Sequence, residues 1–123
     1  MRNNTVREPV RVASAARFCL VLITAPNPRV ARRLATAALA ARLIACANLV
    51  PQIESHYWWG GKIDRSGEVL MICKTRRSLV GRLATLVRAL HPYETPEVLI
   101  VPLTAGSVAY LAWLGEAATG DAG

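Results

Sequence analysis

The segment HPYETPE, residues 91–97, sets an imidazole, a phenol and two carboxylates around two prolines, in a chain otherwise rich in Ala, Leu, Val and Arg. A neutral imidazole offers one ring nitrogen to a soft or borderline cation such as Cu²⁺ or Zn²⁺. Glu94 and Glu97 add oxygen donors, and Tyr93 together with Lys74 suits an anionic group instead. One histidine gives one strong ligand, whereas a closed zinc site takes four. A metal site built on His91 is therefore weak or shared between chains. Structural work is also open to these residues. Pro92 stops a helix, His91 sits by that helix's last carbonyls, Pro96 stiffens entry to a strand, and Tyr93 packs as a ring with a tethered hydroxyl.

Four further positions have chemistry to offer. Cys46 supplies a thiolate ligand or packs as a small apolar residue at a strand entry. Cys19 and Cys73 fall inside apolar strands and read as packing. Lys74 is a lone charge in the apolar run EVLMICKT, with Glu68 and Glu97 as candidate partners. Trp58 and Trp59 invite a stacking role, although burial at a seam between chains suits them better.

The elements that position these groups follow from the pattern. FCLVLIT, residues 18–24, is an apolar run suited to a strand covered on at least one face. Asn27 is a good N-cap with Pro28 at the first helical position, and Val30, Leu34, Ala37, Ala41 and Ile44 form one stripe. QIESHYWWGGKIDRSGEVLMICKT reads as a hairpin, with Ile53, Ser55, Tyr57 and Trp59 on one strand face. Of its two candidate turns we favour DRSG, with a bulge at Gly60-Gly61 and Ile63 continuing the Trp59 face. Ser78 caps a second helix carrying Leu79, Leu83, Leu86 and Leu90. A short strand over residues 98–103 follows, and Ser107 caps a last helix.

The order β-α-β-β-α-β plus a terminal helix predicts an α+β, ferredoxin-like fold: two helices on one face of an antiparallel sheet. Residues 1–16 show no periodicity and read as a flexible arm, residues 17–116 form the single domain, and residues 117–123 are a tail. No element remains to cover the second sheet face, yet the central strands are apolar on both sides. The hairpin, with its three aromatics, overhangs the sheet. Both features predict a homo-oligomer.

Composition narrows the function. A spanning helix needs about 20 apolar residues, and no such run exists. Three cysteines with no close pair argue against a disulfide framework or zinc ribbon and suit a reducing, cytoplasmic setting. Net charge is +7, and all the basic residues but Lys62 and Lys74 are arginine. They are spread out, as on a solvated face. An RNA-recognition domain would place stacking aromatics on its central strands, and here Phe18 stands alone at an edge, so no nucleic acid is expected. No nucleophile elbow, HExxH pair or phosphate loop is present, and no catalysis is expected.

Six phrases in register, TAP (24–26), LIACANLVP (43–51), SHYWWGGK (55–62), EVLMICKT (68–75), HPYETPE and YLAWL (110–114), resemble the CutA family of divalent-ion tolerance proteins. The resemblance runs over residues 17–116. It implies a ferredoxin-like protomer in a tight homotrimer, similar in architecture to PII-type signal proteins, with clefts between subunits. It implies copper or another divalent cation as the ligand, with His91 and Cys46 near the metal and Trp59, Lys74, Tyr93, Glu94 and Glu97 in the cleft. Some members carry a Cys before TAP and a second His before HPY; here those places hold Ile23 and Leu90. The alternative is a PII-like sensor that takes a small anionic metabolite between subunits.

Overall fold

The computed structural model describes residues 8–121. Its elements run β1 (Val12–Ser14), β2 (Phe18–Ala25), α1 (Pro28–Ala40), β3 (Cys46–Trp59), β4 (Lys62–Arg76), a 3₁₀ turn (Arg77–Leu79), α2 (Val80–Leu90), β5 (Leu99–Pro102), β6 (Ala105–Ser107) and α3 (Val108–Ala117). Four strands form an antiparallel sheet in the order β3-β4-β2-β5, and β1 pairs with β6 in a separate ribbon. From β2 to β5 this is the ferredoxin-like order, with α3 as the extra helix. No helix among the described residues is long and apolar enough to cross a membrane.

Alternation along the strands sorts their side chains. Cys19, Val21 and Ile23 on β2 and Val69, Met71 and Cys73 on β4 are 0–1% exposed and pack with Ala31, Leu34, Ala38, Leu83 and Val87 of α1 and α2. Small alanines on α1 let helix and sheet approach closely. The α1 stripe is rotated from the expected one. Ala31, Leu34, Ala35 and Ala38 are its buried residues, and the helix ends at Ala40, before Arg42 turns left-handed at φ 58°. Ile44 is therefore buried from the loop and not from the helix. Asn27 Oδ1 accepts from the Val30 N–H at 2.9 Å, and Ser107 Oγ accepts from the Tyr110 N–H at 3.2 Å, so two of the three expected caps form.

Four expectations are corrected. The hairpin turns at Gly60-Gly61, where φ values of 56° and 76° suit a type I′ turn, and DRSG lies within β4. Trp59 therefore pairs with Lys62 and Tyr57 with Asp64, and Ile63 shares the Trp58 face. The bulge sits instead between Val50 and Ile53, around Pro51, which has no N–H to give the ladder. Ser78 lies inside the 3₁₀ turn and makes no cap; α2 begins after Leu79 without a side-chain cap. Part of the N-terminal arm is ordered as β1, held by β6, while residues 1–7 lie outside the described residues.

The bulge has a consequence for function. It adds one residue to β3, so Cys46, Asn48 and Val50 fall on the same face as Ile53, Ser55, Tyr57 and Trp59. That face continues across β4 through Glu68, Leu70 and Ile72 and across β2 through Leu20, Leu22 and Thr24. It is the face away from α1 and α2, and its aliphatic residues are partly exposed.

Candidate functional site

The helix stop at Leu90 delivers HPYETPE to the end of β2. His91 is buried, at 7% exposure. One of its ring nitrogens, Nδ1, lies 3.1 Å from the Tyr93 N–H, which only donates. The other, Nε2, lies 2.8 Å from the Thr24 carbonyl, which only accepts. The bonds therefore fix the tautomer with hydrogen on Nε2. The His91 and Tyr93 rings meet with centroids 4.6 Å apart. His91 thus ties the segment to the sheet with both nitrogens engaged, and a metal ion bound there would have to displace one of these bonds.

In front of this tie lies a cleft of about 520 Å³. From β3 come Tyr57 and Trp59; from β4, Asp64, Ser66 and Glu68; from the loop, Tyr93, Glu94, Thr95 and Glu97; and from β2, Thr24. Hydrogen bonds brace its walls. The Tyr93 hydroxyl donates to Glu68 Oε2 at 3.1 Å, and the Tyr57 hydroxyl donates to Ser66 Oγ at 3.1 Å. Burial, then the bond to Glu68 and the charges of Glu68 and Tyr57, push the Tyr93 phenol up to about 12. Burial and the Glu68 charge raise the Glu97 carboxyl above its ordinary value. Among the described residues four carboxylates face this cleft and no Lys or Arg lines it. Its chemistry favours a cation, and a small anion would meet uncompensated negative charge.

Trp59, Tyr93, Glu94 and Glu97 line this one cleft. Cys46 and Lys74 are not with them. Cys46 pairs with Lys74, which pairs with Leu20, while Thr24 pairs with Leu70. Four residues of β2 therefore separate the Cys46 end from the His91 end, roughly 13 Å. The Cys46 thiol lies 3.8 Å from Asn48 Oδ1. Lys74 finds neither expected carboxylate; its Nζ sits 5.6 Å from the centre of the Tyr110 ring. Among the described residues no group of three His, Cys, Asp or Glu side chains has metal-site spacing.

Sequence reasoning passed over Thr24, Asp64 and Ser66 as site residues. Placing the turn at DRSG took Asp64 and Ser66 out of the strand. The Gly-Gly pair was the available signal, since a two-residue turn there puts Asp64, Ser66 and Glu68 on one face with Tyr57.

An α+β domain with an acidic, aromatic cleft beside a sheet face left partly exposed is the class that fold and site define. The sequence profile of the CutA1 divalent ion tolerance protein family matches residues 19–117. Protein CutA of Homo sapiens is 49% identical over 94 residues, covering 76% of this chain and 52% of that protein. The divalent-cation tolerance protein CutA of an Escherichia coli strain is 45% identical over 95 residues, covering 77% of this chain and 85% of that one. The crystal structure of CutA1 from Oryza sativa superposes with a TM-score of 0.81 at 41% identity, covering 85% of this chain and 96% of that one. The chain belongs to the CutA1 divalent ion tolerance family. It spans about half the length of several curated relatives that it matches.

Proposed function

We propose that the chain serves a divalent-cation response as a homotrimer of PII-like architecture, taking up Cu²⁺ or a similar cation weakly where its clefts meet a neighbouring copy. The observation that carries this reading is the cleft lining: Asp64, Glu68, Glu94 and Glu97 with no basic side chain among them. Burial and then the Glu68 charge raise the Glu97 carboxyl, and a bound cation would relieve the repulsion between the two carboxylates. The three cysteines are free, and two of them are buried, which suits a reducing cytoplasm.

The requirement for a second copy has a physical basis. The sheet face away from α1 and α2 carries Leu20, Leu22, Leu70 and Ile72, all partly exposed, and α3 packs at its Lys74–Arg76 end. Trp58, Trp59 and Ile63 at the hairpin tip are 70–73% exposed. Surfaces of this kind are ordinarily covered by association. The described residues of one chain also offer too few converging donors for a metal ion. Cys46 and His91 would enter only as ligands completed from another chain, and His91 only by giving up a bond to Thr24 or Tyr93.

Calorimetric titration with Cu²⁺ and Zn²⁺ tests the metal reading. Glu68→Gln is expected to weaken binding about tenfold or more, roughly the loss of one charged contact. Cys46→Ser and His91→Ala, measured alongside, show whether those two side chains take part. Absence of saturable binding by either cation overturns the reading.

A further inference from the structure

Thr24 stands apart from the other polar residues of the cleft. It is 9% exposed, and its hydroxyl makes no hydrogen bond with any described residue. No fully enclosed side-chain oxygen or nitrogen among the described residues lacks a partner, so this hydroxyl must reach the cleft. The residue is nine-tenths buried while its hydroxyl stays open to the cleft without a partner among the described residues, which leaves it available to whatever occupies the space before it. Thr24 pairs with Leu70, which makes it a diagonal neighbour of Glu68 on the same sheet face. Such neighbours lie about 7–8 Å apart, close enough for both to reach one small group.

The rest of the cleft fits an organic cation better than a bare metal ion. Its volume of about 520 Å³ lies in the range of small-molecule sites, about 300–1,000 Å³. Metal ligands must converge to about 2.0–2.6 Å from one point, and the carboxylates here do not cluster in that way. Aromatic rings of Tyr57, Trp59 and Tyr93 line the same space and offer faces to a cation or its alkyl chain. Asp64 lies four residues along β4 from Glu68, at the far end of the cleft.

We propose that the cleft binds a small primary alkylammonium ligand, its three N–H donors shared among Glu68, Glu97 and Thr24. Its chain lies along Tyr57 and Trp59, and a second ammonium, where present, reaches Asp64. Diammonium compounds therefore bind more tightly than monoamines. This rests on the reading of the cleft as a cation site, yet the two stand or fall separately, since it needs no metal.

The purified chain, in buffer with EDTA, is titrated by calorimetry with 1,6-diaminohexane, hexylamine, tetramethylammonium and 1,6-hexanediol. The diamine is expected to bind saturably, hexylamine about tenfold more weakly, and the quaternary ion and the diol not measurably. Glu68→Gln is expected to weaken the diamine at least tenfold, and Thr24→Val about three- to tenfold, each with an unchanged circular dichroism spectrum. Trp59→Leu, at the exposed hairpin tip, changes a side chain outside the core and is expected to weaken all amines alike. Diamine binding that is absent, matched by the diol, or unchanged in both Glu68→Gln and Thr24→Val overturns the proposal. Metal binding without diamine binding leaves the divalent-cation reading standing and this one overturned.

Discussion

Along β2 the chain alternates between two environments. Cys19, Val21 and Ile23 are sealed under α1 and α2 at 0–1% exposure. Leu20 and Leu22, between them in sequence, face the other way and stay partly exposed. On β4, Val69, Met71 and Cys73 are buried while Leu70 and Ile72 are not. Residue type hardly differs between the two faces; what differs is whether the same chain supplies a cover. The helix face is finished within one copy. The open face, which runs on into the acidic cleft, is left for something else to finish.

That contrast can be broken with neighbouring residues on one strand. Ile23→Ala is expected to cost about 2–5 kcal/mol of unfolding free energy, read by urea denaturation, since it opens a cavity in the sealed layer. Leu22→Ala, one residue along, is expected to cost about 1 kcal/mol or less while the chains are apart, and to act mainly by weakening association. Equal losses from both in a dissociated chain would erase the distinction between the faces.

At the border between the faces, His91 behaves as a tie and not as a free ligand. His91→Ala is expected to cost about 1–3 kcal/mol in the same measurement, because it leaves the Thr24 carbonyl without its donor. A loss confined to metal affinity, with stability unchanged, would move His91 from scaffold to ligand. At the hairpin tip, Gly61 has φ 76° and open space where a Cβ would stand. Gly61→Ala should cost about 1–2 kcal/mol from backbone conformation alone. A neutral result would return the turn to DRSG.

The smallest effect concerns charge in the cleft. Burial and Glu68 raise the Glu97 carboxyl, so the folded chain holds this proton to higher pH than the unfolded chain does. The stability it contributes is fully present below the ordinary glutamate value of 4.5 and is lost as pH rises through the raised folded value. Glu97→Gln should therefore raise the melting temperature near neutral pH by a small margin, under about 3 °C, and leave it unchanged near pH 3. A drop near neutral pH would show that the Glu97 charge stabilises the fold.

Much of this was legible in the residues. Asn27-Pro28 and Ser107 marked helix starts because caps are local chemistry, and the continuous apolar runs of β2 and β4 announced a sheet apolar on both faces. The hairpin register was not legible, because Gly-Gly and DRSG are both good turns and only the pairing of distant residues decides between them. Choosing DRSG hid Asp64 and Ser66. The pairing of β1 with β6 is equally non-local, and nothing in residues 12–14 alone reports it. The state of His91 was hidden too, since its partners include a backbone carbonyl at Thr24, far away in sequence.

Sedimentation velocity on the purified chain at micromolar concentration, with Ile72→Glu beside it, tests the central claim most directly. A charge buried without a partner in an apolar seam is strongly unfavourable, while on an exposed face it is tolerated. The wild-type chain is predicted to sediment with the mass of three copies, and Ile72→Glu as a folded single chain. A wild-type chain that sediments as a stable, folded single copy would contradict the account.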